Sequence, residues 1–344
     1  MTPRLKPLAH QIVVVTGAAG GVGRAVAREA ASAGARLVLV GGDGAALTRV
    51  AGELAAGGAR AVIVEADASE PDDARRVAQV ADATYGGFDT WVATAPTALA
   101  GAALATGPAE QRRIFDRVYW SAAHGAIEAA RHLRRRGGAI VVVGGGVAER
   151  ALAETAPYAA ARGAIAAFVG GLRRELAAER APVSVTLVRP SAVDGPGDAA
   201  RLDDAISAYD PALVARAALF AAEHPRRTLV VGAGGHAADL VDRIAPGLGG
   251  GLARRMARAV PHRDTSLALE AQLHPGAAAA IALGTGLIVA GLAWALARVG
   301  EGAAPGEAGP VDRRWQAWRA ARPMRAERAA AHPMSRPRPP ITRH

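Results

Sequence analysis

Apolar segments of strand length recur along the first two thirds of the chain, and longer helical patterns separate them. They are continuous in apolar residues rather than alternating, which is typical of strands buried on both faces of a parallel sheet. The segments are residues 12–17, 36–41, 61–66, 90–95, 139–145, 184–190 and 228–232. Parallel neighbours need long crossover connections, and the helical patterns supply them. The sequence therefore predicts an α/β fold, a Rossmann-type doubly wound parallel sheet of about seven strands, within residues 1–235.

The connection after the first predicted strand is rich in glycine and leads into an alanine-rich helix. Gly17, Gly21 and Gly23 stand there, with Val22 between the last two. Glycine permits a tight turn and lets the backbone approach a pyrophosphate, which the N–H groups and dipole of the helix N-terminus attract. Strand, loop, helix and next strand follow in order, which favours a dinucleotide site at these four residues over a purely structural turn.

The sequence leaves the choice between NAD and NADP open. The second predicted strand ends in Gly41 and Gly42, where an acid for the ribose hydroxyls of NAD, or an arginine for the phosphate of NADP, is expected nearby. Asp43 comes slightly late and fits a turn residue as well. Asp67, which follows the third predicted strand, is a better candidate for a contact with the cofactor, and we expect this contact at the adenine edge.

Four motifs follow one another along the first part of the chain. They are TG-x3-G-x-G at residues 16–23, Asp67 after the third strand, a Tyr-x3-basic pair on a later helix, and VRPSAVDGP at residues 188–196. With them, roughly residues 8–235 resemble the short-chain dehydrogenase/reductase family, and the chain is similar to bacterial members with a C-terminal extension. The resemblance implies NAD or NADP as the cofactor and a small, in some cases lipophilic, carbonyl or alcohol substrate. It also implies homo-oligomers, since many members pair helices into dimers or tetramers.

The resemblance also implies a catalytic set. In the family a tyrosine is the general acid and base, a lysine supports it and holds the nicotinamide ribose, a serine polarises the substrate oxygen, and an asparagine anchors a relay water. Tyr158 matches the tyrosine, Arg162 replaces the lysine, Gly145 replaces the serine and Val118 replaces the asparagine. The family's Asn-Asn-Ala-Gly stretch has become residues 93–96, ATAP. Arginine keeps the positive charge, but it does not release its proton as an ammonium can.

Two hypotheses follow from this altered set. In the first, the chain is an NAD(P)-dependent oxidoreductase in which Tyr158 and Arg162 carry the acid/base chemistry. Loss of the serine hydroxyl would then cost about 10²- to 10³-fold, by analogy with other donors to a developing oxyanion. In the second, it is a non-catalytic dinucleotide-binding or scaffold relative tethered to a membrane. Thr155, Ser121 and His124 carry polar groups near the altered positions, but we expect them on the surface or in helix packing.

The pattern changes beyond residue 235, where we predict a helical connector over residues 236–274. Residues 275–297 form an uncharged run, long enough to cross a bilayer at 1.5 Å per residue, which predicts membrane insertion or association. A buried helix or an apolar hairpin is the alternative. If residues 275–297 crossed the membrane once after a cytoplasmic N-terminal domain, the arginine-rich tail would lie outside, against the positive-inside tendency. A helix lying in the membrane interface would remove this conflict. Residues 298–344 are rich in arginine and proline, which predicts a disordered tail.

Charge and cysteine content limit the remaining functions. The formal net charge is +10, and nearly all the cations are arginine. The basic tail could contact anionic lipid, but nucleic-acid binding is not favoured, because the tail has no interleaved aromatics beyond Trp315 and Trp318 and no recognised module. The absence of cysteine excludes disulfides, thiolate metal sites and cysteine nucleophiles. Residues 1–11 lack the apolar stretch of a signal peptide, so the N-terminal domain is expected in the cytoplasm.

Overall fold

The computed structural model of the protein describes residues 3–94, 103–144, 156–190, 209–232 and 267–274. Contacts divide the chain into Met1–Ile281 and Ala282–His344, and every described residue lies in the first unit. The predicted apolar segment and the predicted tail lie outside the described residues. In the ranges that are described, no helix combines the length and the apolar character needed to cross a membrane.

In the part of the chain that the structure describes, seven strands form one parallel sheet, with the order β3-β2-β1-β4-β5-β6-β7. The strands are β1 (Ile12–Thr16), β2 (Arg36–Gly41), β3 (Ala61–Glu65), β4 (Thr90–Thr94), β5 (Gly138–Val143), β6 (Val183–Pro190) and β7 (Thr228–Val231). Each corresponds to one of the predicted segments, so the prediction of a doubly wound parallel sheet is confirmed. The strand order reverses between β1 and β4, and ligands of such sheets bind outside the carboxyl ends of the strands at that point.

Helices cover both faces of the sheet. The described helices are α1 (Gly21–Ser32), α2 (Gly44–Ala56), α3 (Pro71–Tyr85), α4 (Pro108–Phe115), α5 (Ser121–Arg136), α6 (Ala156–Ala178), α7 (Pro211–Glu223) and α8 (Leu267–Leu273). One apolar core joins the sheet to α1 and α7, as shown by buried Val26 and Val214. A second core on the other face contains Leu133 of α5 and Ile165 of α6. Strands β1, β2, β4, β5 and β6 are thus largely buried from both sides, as their composition predicts, whereas the edge strand β3 is only partly buried.

The N-termini of two helices are fixed by side chains, whereas that of α1 is not. Asp43 Oδ1 accepts a hydrogen bond from the backbone N–H of Ala46 at 2.9 Å and so caps α2. Asp210 caps α7 in the same way, through the N–H of Ala212 at 2.7 Å. At α1 the capping position is Gly20, and among the described residues no side-chain cap accepts from the first turn. The N–H groups at the start of α1 are therefore not satisfied by a side-chain cap.

A π-helical turn, Asp116–Trp120, joins α4 to α5. Within it the backbone N–H of Ser121 donates to the carbonyl of Asp116, five residues earlier. Ser121 Oγ also donates to the carbonyl of Arg117 at 2.6 Å. A π turn inserts one extra residue into a helix and is frequent at functional sites. Val118 lies in this turn with its side chain fully buried.

Candidate functional site

A cleft of about 510 Å³ opens at the carboxyl ends of the first four strands, where the strand order reverses. The ends of β1 and β2 line it through Gly17, Gly41 and Gly42. Glu65 and Asp67 line it from the end of β3 and the following turn. The position agrees with the expectation for ligand sites in doubly wound sheets.

The glycine loop forms one end of this cleft, and its shape requires glycine. Gly17 adopts a φ of +67°, and a Cβ there would lie 2.6 Å from Thr94 Oγ1. A Cβ on Gly23 would lie 2.1 Å from the carbonyl oxygen of Gly17, so the start of α1 packs directly on the turn. Gly21 is exposed at the first position of α1, and Val22 is buried beside it. The structure thus brings the four predicted loop residues together at one helix N-terminus.

This geometry fits the pyrophosphate of a dinucleotide. The missing Cβ atoms leave the backbone bare, and no side chain caps the N-terminus of α1. Exposed N–H groups at a helix N-terminus, together with the positive end of the helix dipole, favour an anion there. Glu53 forms ion pairs with Arg24 and Arg28 on the outer side of α1, so these arginines already have an anionic partner.

Thr94 holds the glycine turn in place, a role that the sequence did not reveal. Its Oγ1 donates to the backbone carbonyl of Thr16 at 2.6 Å, and its N–H donates to Thr16 Oγ1 at 3.3 Å. Both residues end adjacent strands, so the two hydrogen bonds tie β4 to β1 beneath Gly17. Thr94 could have been identified as a candidate from the sequence, because it lies in residues 93–96, the stretch that replaces the family's Asn-Asn-Ala-Gly.

Asp67 lies in a compact turn at the rim of the cleft, with its side chain exposed. Its Oδ1 accepts from the N–H and the hydroxyl of Ser69, at 2.9 and 2.7 Å. Its backbone N–H donates to Asp73 Oδ2 at 2.7 Å. The hydrogen bond from the Arg76 guanidinium holds the pKa of Asp73 below its usual range, so that carboxylate is ionised and anchors the turn. Asp67 is therefore held in place beside the cleft, whereas Asp43 serves as a helix cap.

Tyr158 and Arg162 meet on α6, one turn apart, as their spacing predicts. Arg162 Nε donates to Tyr158 Oη at 2.9 Å, and Arg162 Nη2 donates a second, shorter hydrogen bond to the same oxygen. Both side chains are buried, with exposed fractions of 3% for Tyr158 and 4% for Arg162. Arg162 Nη1 is also buried and has no hydrogen-bond partner within the described ranges. Neither residue belongs to the wall of the cleft described above.

The other positions near the predicted catalytic set have structural contacts. Val118 is packed in the apolar core, and its side chain offers no polar group. Ser121 Oγ donates a hydrogen bond to the backbone carbonyl of Arg117, although Ser121 also lines the cleft. His124 Nδ1 lies 2.8 Å from the carbonyl oxygen of Ser69, and its ring stacks on Trp120 at 4.9 Å. Ser121 and His124 thus have the helix-packing contacts that we expected.

Two predicted positions, Gly145 and Thr155, lie outside the described residues. Within the ranges that are described, no three or more His, Asp or Glu side chains come together as a metal site would require.

Comparison with known proteins places this architecture in a family. The family model for short chain dehydrogenase matches residues 11–205, more than half of the chain. The Bacillus subtilis protein "Uncharacterized oxidoreductase YxnA" is 34% identical over 255 residues, which cover 71% of this chain and 72% of that protein. The Arabidopsis thaliana protein "11-beta-hydroxysteroid dehydrogenase-like 6" is 31% identical over 189 residues, 54% of this chain and 54% of the plant protein. The chain therefore spans about half the length of the plant relative.

Solved structures share the fold. A short-chain dehydrogenase/reductase from Burkholderia phymatum in complex with NAD superposes with a TM-score of 0.62 at 21% identity, covering 69% of this chain and 92% of that one. An alcohol dehydrogenase from Thermococcus sibiricus complexed with 5-hydroxy-NADP gives 0.58 at 22% identity, covering 64% and 95%. These likenesses extend over the parallel sheet and its helices. Taken with the family match and the Bacillus relative, they show that the chain belongs to the short-chain dehydrogenase/reductase family, whose cofactor is NAD or NADP.

Proposed function

We propose that this chain is an NAD(P)-dependent oxidoreductase that interconverts a small carbonyl compound and its alcohol, with Tyr158 as the general acid and base. The observation that carries the proposal is the buried pair on α6, in which two N–H groups of Arg162 donate to Tyr158 Oη. Membership of the family supports the reaction class. A tyrosine held in this way has its phenolic oxygen fixed beside a cation, which is the arrangement that a general acid and base needs.

In this proposal the glycine loop binds the cofactor. The backbone of Gly17, Gly21, Val22 and Gly23 would hold the pyrophosphate, and Asp67 would lie at the adenine edge. The uncapped start of α1 and the space left by the missing Cβ atoms support this arrangement. When bound, NAD or NADP supplies the hydride acceptor or donor. The protein's task is then to orient the reacting carbon and to move one proton.

The proton transfer is assigned to Tyr158. Oxidation of an alcohol releases a hydroxyl proton, which Tyr158 Oη accepts; reduction of a carbonyl runs in the opposite direction. Charge-assisted hydrogen bonds from Arg162 stabilise negative charge on that oxygen. Because a guanidinium does not give up its proton, the proton leaves Tyr158 by a route that does not pass through Arg162.

The substitutions around the pair point to slow turnover and an apolar substrate. Val118 and Gly145 stand where the family has an asparagine and a serine, so two polar groups near the reacting oxygen are gone. Removal of one oxyanion donor costs about 10²- to 10³-fold in comparable enzymes. The same changes make the surroundings of the substrate less polar, which suits a lipophilic carbonyl compound. The name of the plant relative, a steroid-dehydrogenase-like protein, agrees with this substrate class.

A second candidate is a non-catalytic relative that binds a dinucleotide and is tethered to a membrane. It is favoured by Val118, which is buried in apolar contacts where the family anchors a water. In this version residues 1–235 form the dinucleotide-binding domain, 236–274 a helical connector, 275–297 the membrane-associated helix and 298–344 a disordered tail. The proposed oligomer would pair copies of the first domain.

Steady-state reduction of a panel of ketones and aldehydes, with NADH and with NADPH, separates the two candidates. The enzyme proposal expects Tyr158→Phe to abolish the activity of the full chain. It also expects the double substitution Gly145→Ser with Arg162→Lys to raise that activity by at least about tenfold. Equal rates for the Tyr158→Phe variant and its parent would refute the catalytic role of Tyr158. Cofactor binding without turnover in every variant supports the second candidate.

Membrane association needs its own test. Fractionation of cells followed by carbonate and salt washes distinguishes an inserted protein from one held by charge. The full chain is compared with a truncation after His274. An unchanged distribution of the truncated chain would rule out the proposed role of residues 275–297.

A further inference from the structure

The structure supplies an acid at the place where β2 lacks one. Strand β2 ends at Gly41, and the parallel register sets Glu65, the last residue of β3, directly beside Gly41. Glu65 is exposed and lines the cleft together with Gly41 and Gly42. A carboxylate therefore reaches the end of β2 from the neighbouring strand.

The first turn of α2 makes room for this side chain. A Cβ on Gly44 would lie 2.4 Å from Glu65 Oε2, so the carboxylate rests against the Cα of Gly44. Glycine at positions 41, 42 and 44 thus leaves Glu65 unobstructed at the mouth of the cleft. A side chain at position 44 would push the carboxylate away.

The other acids in this region already have partners. Asp43 caps α2, Asp67 accepts from Ser69, and Asp73 is held by Arg76. Within the described ranges, no residue donates a hydrogen bond or forms an ion pair with the carboxylate of Glu65. Among the described acids of this region, Glu65 is thus the one with no hydrogen bond to either carboxylate oxygen, so both oxygens can accept from a ligand.

We propose that Glu65 recognises the adenosine ribose and makes the site select NAD over NADP. This inference rests on the dinucleotide site of the proposed function. A carboxylate accepts hydrogen bonds from the two ribose hydroxyls of NAD. The 2′-phosphate of NADP removes one of these donors and places negative charge next to the carboxylate, which repels it.

The cations near the cleft are consistent with this preference. Residues 41–48, which form the turn beside Glu65, contain no lysine or arginine. Arg117 is the cation that lines the cleft among the described residues, and it lies in the π-helical turn next to Ser121. Arg76 Nη2 donates to the backbone carbonyl of Glu65 at 2.7 Å, but its guanidinium is already paired with Asp73. The turn at residues 41–48 therefore has no positive group of its own for a 2′-phosphate.

Two substitutions test the proposal by different means in the full chain. Titration with NADH and with NADPH, followed by calorimetry, gives both dissociation constants. The parent should bind NADH at least about tenfold more tightly than NADPH, as expected for one charge-assisted hydrogen bond. Glu65→Gln should weaken NADH binding by about tenfold and strengthen NADPH binding. Gly44→Ala should change the ratio in the same direction, because its Cβ displaces the Glu65 carboxylate without altering its charge.

Matched controls separate a local effect from a general one. Glu179→Gln removes an exposed charge in the turn that follows α6, and Gly52→Ala adds a methyl group in open space on α2. Both should leave the NADH to NADPH ratio at the parental value. The proposal is overturned if the parent chain prefers NADPH and the substitution Arg117→Ala abolishes NADPH binding. Arg117 would then be the residue that binds the 2′-phosphate.

The remaining outcomes distinguish this proposal from the one on which it rests. Equal affinity of the parent for both cofactors, or equal losses for both in Glu65→Gln, overturns the selectivity role while the dinucleotide site stands. Failure of the parent to bind either cofactor overturns the site itself, and the selectivity proposal with it.

Discussion

Arg162 and Tyr158 form a buried pair in which one guanidinium donates two hydrogen bonds to one phenolic oxygen, the longer at 2.9 Å from Nε. The third guanidinium nitrogen, Nη1, is buried and finds no hydrogen-bond partner in the part of the chain that the structure describes. Among the described residues no carboxylate balances this charge. Burial of a cation without an anion is costly, so the pair is not expected to stabilise the fold, in line with the catalytic role that we propose for it.

Arg162→Met should separate these two roles. Methionine fills similar space without a charge, so the free energy of unfolding should stay the same or rise by about 1–2 kcal/mol. Carbonyl reduction should fall at least about 100-fold, because the cation beside Tyr158 is lost. Urea unfolding and steady-state kinetics measure the two effects. Arg173→Met is the control, since Arg173 donates to the carbonyls of Val185 and Arg227 and its loss should destabilise. A clear loss of stability in Arg162→Met would show that the pair is structural.

Gly23→Ala should destroy the dinucleotide site. Its Cβ would lie 2.1 Å from the carbonyl oxygen of Gly17, and this backbone atom cannot move aside cheaply. We expect a loss of about 1–3 kcal/mol in the free energy of unfolding and no measurable NADH binding. In the control Gly52→Ala nothing lies within 4 Å of the new Cβ, and the exchange should stabilise α2 by about 0.5–1 kcal/mol. Normal NADH affinity of Gly23→Ala would contradict the assignment of the loop.

Thr94→Val tests the link between β4 and the glycine turn. Valine keeps the shape but loses the hydroxyl that donates to the carbonyl of Thr16 at 2.6 Å. The free energy of unfolding should fall by about 1 kcal/mol, and NADH should bind more weakly because Gly17 is no longer held. Thr90→Val, at the other end of β4, removes a buried hydrogen bond to Gln11 and should lower stability alone. Equal NADH affinities in the two variants would show that Thr94 does not position the loop.

His132 should make stability depend on pH. Burial lowers the pKa of His132, whose ring stacks on Phe88 at 4.1 Å. The folded chain therefore binds this proton more weakly than the unfolded chain does. The contribution of neutral His132 to the free energy of unfolding should be fully present above the ordinary histidine pKa of about 6.5. It should decrease as the pH falls through the lower pKa of the folded chain. Midpoints of urea unfolding between about pH 5 and 7.5 measure the slope, which His132→Gln should reduce and exchange of the exposed His10 should not. An identical slope in His132→Gln would assign the effect to another group.

The parts of the site that depend on local sequence could be predicted. The seven apolar runs became strands, and the spacing of Tyr158 and Arg162 placed them one helical turn apart. Thr94 and Glu65 could not be found in this way. Their contacts depend on which strands are neighbours and in what register, since Thr94 meets Thr16 across β1 and β4 and Glu65 meets Gly41 across β2 and β3. Local pattern does not contain that information.

The π-helical turn limits how this part of the chain can vary in length. An α-helix turns by about 100° per residue, so the extra residue in Asp116–Trp120 rotates α5 relative to α4. Deletion of one residue there would restore an unbroken α-helix and rotate Gly125 away from Trp91, whose Nε1 lies only 2.7 Å from the position of a Cβ on Gly125. Exchanges of residue type on the exposed side of the turn leave that packing intact. Related chains should therefore differ in which residues occupy the π-helical turn but should keep the number of residues in it constant.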